Sequence, residues 1–154
     1  MIRACLLSAL LLCAGAARAD CWDRAGRMFN IAPDLLYAIA LQESGLKPDA
    51  VGRNRDGSRD LGLMQINSTH LPRLRKLGVT EPQLLGDACL SVVVGASILA
   101  EMMKRYGYSW EAVGAYNAGT APARRALRMR YAEQVWRRYQ KLRSAQPPPS
   151  KELS

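Results

Sequence analysis

Ile39–Asn67, IALQESGLKPDAVGRNRDGSRDLGLMQIN, joins the end of an apolar helix to a polar loop and then to a second apolar run. Pro33 and Asp34 start that helix, since proline fits a first turn and an acid there meets the positive end of the helix dipole. Leu35, Leu36, Ile39 and Ala40 repeat at helical spacing, and Glu43 falls one turn further along the same face. Gly45 and Pro48 end the helix. Gly52 to Asp60 is rich in Gly, Asn, Asp and Arg, which predicts a turn or short hairpin. Leu61 to Ile66 is apolar and interrupted by Gly62, where a backbone can pass close to another chain or a ligand. Two acids, Glu43 and Asp60, therefore lie in surroundings of opposite polarity. Glycoside cleavage uses such a pair: one carboxyl stays protonated to serve the leaving oxygen, and the other, where used, stays ionised to meet positive charge on the sugar.

Outward from this stretch the chain reads as mostly α, a single helical domain with a short polar loop or hairpin after the helix that carries Glu43. Asp20 to Asn30 suits a short helix with Trp22, Ala25 and Met28 or Phe29 on one side. Leu71 to Leu85 reads as short helical pieces broken by Pro72, Gly78 and Pro82. Cys89 to Tyr106 is the expected central helix, with Leu90, Val94, Ile98, Met102 and Tyr106 in register and Val92, Val93 and Leu99 apolar on other sides. Ser109 is placed to cap a helix that carries Glu111, Val113 and Tyr116 and ends at Gly119. A last helix is expected over about Arg130–Arg143, with Tyr131, Val135, Tyr139 and Leu142 inward and Arg137, Arg138 and Lys141 outward. No internal repeat is present.

The chain has 154 residues, enough for one domain with a real core. Met1–Ala19 reads as a signal peptide: Arg3 gives the positive start, Ala4–Ala16 the apolar run and Ala17-Arg18-Ala19 the cleavage pattern. Cys13 opens a lipoprotein alternative, against which stands Leu12 where a small residue is expected. The mature domain is then expected over 20–143, with a proline-rich disordered tail over 144–154. Cleavage leaves Cys21 and Cys89, and an exported chain with one cysteine pair most simply makes one disulfide. Two cysteines and the single His70, expected at the surface or in a loop, give no ligand set at metal spacing, so neither a metal nor another cofactor is expected. The run Val92–Met103, about a dozen residues, is too short to cross a bilayer, so no stable membrane insertion is expected. Net charge is +9 and falls to +7 once Arg3 and Arg18 are removed. Much of it lies between Arg124 and Arg143. Such a surface suits nucleic acid, anionic lipid, an acidic polymer or solvent alone, and export argues against nucleic acid.

Three motifs narrow the reading: Glu43-Ser44-Gly45, Gly62-Leu63-Met64-Gln65-Ile66-Asn67 and Ala115-Tyr116-Asn117-Ala118-Gly119. Together and in this order they resemble the soluble lytic transglycosylase domain of the lysozyme superfamily, over about Cys21 to Tyr139. The small secreted members that accompany type III and type IV secretion, conjugation and type IV pilus machines are most similar. The resemblance implies an α+β, lysozyme-like fold, a monomer in the periplasm, and peptidoglycan glycan strands as substrate, with components of such a machine as further partners. A second resemblance, of Gly57–Ser68 to the c-type lysozyme segment carrying the second catalytic acid, singles out Asp60. Many lytic transglycosylases lack that acid.

The family resemblance implies that Glu43 protonates the oxygen between N-acetylmuramic acid and N-acetylglucosamine. Glu43 then acts as base toward the muramyl 6-hydroxyl, closing a 1,6-anhydro ring without water. The lysozyme resemblance implies hydrolysis, with Asp60 as nucleophile or charge stabiliser. Gln65 and Asn67 carry amides suited to N-acetyl groups and hydroxyls, and Tyr116 is expected beside Glu43 or hydrogen-bonded to it. Ser44 is expected to orient the acid or bind glycan, Asn117 to line the cleft or hold its own loop, and Met64 and Ile66 to be core. Two rivals stay open: a docking component that keeps the fold without needing activity, and a module binding anionic polymer through Arg124–Arg143.

Overall fold

The computed structural model describes residues 20–145. The expected signal peptide and residues 146–154 of the expected tail lie outside the described residues. A first helix, α1, occupies residues 20–29. It is followed by α2 (Pro33–Glu43), the strands β1 (Val51–Arg53), β2 (Arg59–Leu61) and β3 (Ile66–Asn67), and a 3-10 turn, Ser68–His70. Five helices complete the order: α3 (Leu71–Lys76), α4 (Glu81–Gly86), α5 (Ala88–Tyr106), α6 (Trp110–Ala118) and, after a second 3-10 turn, Pro122–Arg124, α7 (Arg125–Ala145). The strands form an antiparallel sheet in the order β1-β2-β3, with Asp60 paired to Gly52 on one side and Asn67 on the other.

Local chemistry accounts for most boundaries. Pro33 begins α2. The Asp87 side chain accepts from the Leu90 amide at 3.0 Å to cap α5, and the Ser109 hydroxyl accepts from the Ala112 amide at 3.2 Å to cap α6. Pro72 and Pro82 lie in the first turns of α3 and α4, so they begin these helices rather than break them, as a residue without a needed amide hydrogen can there.

Leu36, Ile39, Leu61, Met64, Val92 and Leu99 are almost wholly buried, and each such side chain contributes about 1.5–3 kcal/mol relative to exposure. Leu61, Met64 and Ile66 thus anchor the small sheet to the helical core. Gly62 makes the turn between them possible: its φ is +73°, and a Cβ there would stand 2.5 Å from the Leu84 carbonyl oxygen. The disulfide between Cys21 and Cys89 ties α1 to the start of α5, with their Cα atoms 5.3 Å apart.

The last helix begins at Arg125, not at about Arg130. Its first turns carry no apolar stripe because the inward position is an arginine, Arg128, only 4% exposed. Its guanidinium donates to Glu111 Oε1 at 3.1 and 2.9 Å and to the Gly119 and Ala121 carbonyls at 3.3 and 2.9 Å. It also lies over the Tyr106 ring, 5.2 Å from the centroid. A buried charge with this many partners is tolerated. The backbones of α6 and α7 meet here, where a Cβ on Gly114 would lie 2.1 Å from the Arg128 carbonyl oxygen. Further along α7, Tyr131 and Val135 are buried and Arg137, Arg138 and Lys141 face out.

Candidate active site

Glu43 is the last residue of α2 and points into a cleft of about 670 Å³. One wall is the β1–β2 hairpin with Asn54, Arg55, Asp56, Ser58 and Asp60; the other is the end of α6 with Tyr116 and Asn117, followed by Gly119 and Thr120, with Arg124 beyond. Ile98 and Met102 of α5, Ile66 and Gln65 also line it. Burial pushes the Glu43 carboxyl from 4.5 up to about 7, and the nearby Asp60 charge pushes the same way. Hydrogen bonding from Tyr131, and less strongly from Asn117, pulls it back. The Tyr131 hydroxyl donates to Glu43 Oε1. The carboxyl therefore titrates near neutral pH, the condition for giving and then recovering a proton.

Asp60 sits in the middle of β2 and is held from both neighbouring segments. Asn54 Nδ2 donates to its Oδ2 at 3.0 Å and Asn67 Nδ2 to its Oδ1 at 2.8 Å. Both amide groups also reach the Ser58 hydroxyl, at 3.0 and 3.1 Å. Hairpin formation thus fixes an acid against the cleft in a polar cage.

The other expected site residues divide by what their polar atoms do. Asn67 lines the cleft, but its Nδ2 serves Asp60 and Ser58 and its Oδ1 accepts from the Thr69 amide at 3.0 Å. Gln65, at a φ of +49°, turns its Nε2 onto the Ala50 and Gly62 carbonyls at 3.1 and 2.9 Å. The Ser44 hydroxyl donates to the Leu63 carbonyl at 2.7 Å, tying the end of α2 to the apolar run, and Ser44 is not among the cleft residues. The Tyr116 hydroxyl donates to the Met64 carbonyl at 2.7 Å, and burial, with Glu43 and then Asp60 adding to it, holds its pKa well above 10. Asn117 stands exposed on the cleft wall. Met64 and Ile66 are core, although Ile66 also reaches the cleft. His70 is half-buried at the cleft, and burial, aided by Arg73, lowers its pKa so that it is neutral at neutral pH.

Tyr131 is the site residue that sequence motifs did not mark. Its signal was indirect: a tyrosine on the inward face of a helix needs a partner for its hydroxyl. Burial and the neighbouring Glu43 keep that hydroxyl protonated.

Among proteins of known family, residues 20–138 match the model of the transglycosylase SLT domain. The chain belongs to the transglycosylase SLT family. Its enzyme class is accordingly that of the peptidoglycan lytic transglycosylases. The SLT chain is 65% identical over 133 residues to Invasion protein IagB of Salmonella typhimurium strain LT2, covering 86% of this chain and 83% of that one. It is 53% identical over 122 residues to Protein IpgF of Shigella flexneri, covering 79% and 80%. The fold matches an X-ray structure of an inactive mutant of lytic transglycosylase Slt from Pseudomonas aeruginosa, with a TM-score of 0.64 and 24% identity. That match covers 84% of this chain and spans about a quarter, 25%, of the larger protein.

The SLT cleft makes a specific expectation about Tyr131. Its hydroxyl favours ionised Glu43, so Tyr131→Phe should raise the Glu43 pKa and move the alkaline limb of the rate profile above its wild-type position near 7. Loss of a hydrogen bond to a charged group should also lower kcat by roughly tenfold. A pH profile of kcat and kcat/KM on isolated cell-wall sacculi checks both; an unmoved limb would detach Tyr131 from the acid.

Proposed function

We propose that this enzyme cleaves the β-1,4 bond between N-acetylmuramic acid and N-acetylglucosamine and releases a 1,6-anhydromuramyl end. Glu43 donates its proton to the glycosidic oxygen as the bond to muramyl C1 breaks. The substrate's acetamido oxygen stabilises the resulting cation. Ionised Glu43 then takes the proton of the muramyl 6-hydroxyl as that oxygen bonds to C1, which restores the acid and consumes no water. The supporting observation is the single carboxyl held near pKa 7 in the cleft with Tyr131 against it, since one residue serves both proton transfers.

Asp60 supports a second reading, hydrolysis. It faces the same cleft, and its charge acts on Glu43. Its oxygens are, however, already engaged by Asn54 and Asn67, which favours a role in holding the hairpin and orienting sugar. Asp60→Asn is therefore expected to retain activity within about tenfold, with anhydro ends still the main product by mass spectrometry. A loss of several hundredfold, the size expected when charge stabilisation of the transition state is removed, together with reducing ends from the wild type, would make hydrolysis the reaction.

The proposed place of action is the periplasm, supported by the Met1–Ala19 leader pattern and the Cys21–Cys89 bridge. The proposed role is local opening of the wall for a secretion, conjugation or pilus machine. The motif resemblance supports it, as does strong identity to a protein named for invasion.

A further inference from the structure

Two arginines, Arg55 on the hairpin and Arg124 in the turn between α6 and α7, line the cleft. Elsewhere Arg59, Arg73, Arg125, Arg128, Arg137 and Arg143 each face an acid at 3.8 Å or less. Among the described residues Arg55 and Arg124 face none within ion-pair distance, which is also true of Arg53 and Arg75 outside the cleft; what sets the two apart is that they line it, together with Glu43, Asp56 and Asp60. The Asp60 oxygens already accept from Asn54 and Asn67, and Asp56 from Ser58, so the two guanidiniums, which no carboxylate contacts, are open to an anionic group of a ligand. Arg124 is also positioned: its Nη1 donates to the Ala118 carbonyl at 3.1 Å, one residue from Asn117, which acts on Glu43. Tethering one nitrogen leaves the rest of a rigid, planar fork of donors for a carboxylate.

We propose that Arg124, with Arg55 as the opposing cation, forms a carboxylate subsite of the cleft that reads the 3-O-substituent of the muramic acid ring. This rests on the glycan reading above. The bond to be broken starts at muramyl C1, and the lactyl ether on the same ring carries either a free carboxylate or, through an amide, a peptide with carboxylates of its own. A carboxylate, of the lactyl group itself or of the peptide it carries, is thus attached to the ring whose C1 reacts. Arg124 selects muramic acid-containing glycan over chitin-like glycan, which has the same N-acetyl groups and no acid.

Binding to the Glu43→Gln protein separates this subsite from catalysis. Three probes are titrated: a peptide-free muramyl tetrasaccharide, the same tetrasaccharide bearing stem peptides, and chitotetraose. Adding Arg124→Gln should weaken at least one of the muramyl probes by roughly tenfold, as loss of a charge-assisted contact does, and make its binding less dependent on salt. Chitotetraose affinity should change less than about twofold on the same grounds. Arg124→Lys, which keeps the charge and the reach to Ala118, should restore part of the loss, and unfolding midpoints verify that each variant is folded. Loss confined to the peptide-free probe assigns the lactyl carboxylate, and loss confined to the stem-bearing probe assigns the peptide. Equal loss on chitotetraose, or none on either muramyl probe, overturns the subsite. A wild type that binds these glycans without cleaving them would overturn the proposed reaction while leaving this test intact.

Discussion

Replacing Glu43 with glutamine is expected to reduce turnover of peptidoglycan by at least about a thousandfold, since general acid catalysis alone is worth roughly 10²–10⁴ and in the proposed reaction the same residue serves twice. The amide keeps the shape and still accepts from Tyr131, so glycan binding and fold should persist. Stability should rise. The Glu43 pKa is higher in the folded chain, about 7, than the ordinary 4.5, so between these values the folded state holds a proton that the unfolded chain has lost. Stability therefore falls as pH rises from 4.5 to 7 and stays lowered above it. The side chain is partly open to solvent, which places the loss on the order of 2 kcal/mol. Glu43→Gln should remove that slope and be the more stable protein at pH 8. Denaturant titrations at several pH values read the stability; wild-type-like turnover by the variant would remove Glu43 from the reaction.

Opening the Cys21–Cys89 bridge should have the largest effect on stability. It closes a sequence separation of 68 residues, for which chain entropy predicts about 4 kcal/mol, a large share of the total stability of a domain of this size. Cys89→Ser, or reduction, should lower the unfolding midpoint sharply. Neither cysteine lines the cleft, so activity at low temperature should stay within a few-fold. A midpoint unchanged by reductant, in protein purified without reducing agent, would mean that the bridge does not form.

The elements legible in the sequence are those whose signals are local. Pro33 before an apolar stripe, Ser109 before Glu111, and the Asn-, Gly- and Asp-rich run ahead of Asp60 each name a helix start or a turn, and α2, α6 and the hairpin occupy those positions. The start of α7 was hidden because Arg128 stands where an apolar residue was expected, and only the distant Glu111 and two carbonyls make that burial possible. The cleft was legible as a set of residues and less so as a set of roles. Ser44, Gln65 and Asn67 have side chains suited to sugars, yet the fold spends their hydrogen bonds on the Leu63, Ala50 and Gly62 carbonyls and on Asp60. Tyr131 lies 88 positions from Glu43, a pairing set by the packing of α7 on α2 and not by any local pattern. Their partners are decided by tertiary contact, which periodicity does not encode.

In the proposed reaction the muramyl cation is captured by the sugar's own 6-hydroxyl, with Glu43 as base, and not by water. Digesting purified sacculi in water enriched in oxygen-18 tests it directly, with soluble muropeptides read by mass spectrometry. Products one water lighter than the hydrolytic ones, carrying no heavy oxygen at muramyl C1, are expected for the wild type and for Asp60→Asn alike. Reducing muramyl ends labelled at C1 from the wild type, and absent from Glu43→Gln prepared in the same way, would contradict it and identify the reaction as hydrolysis.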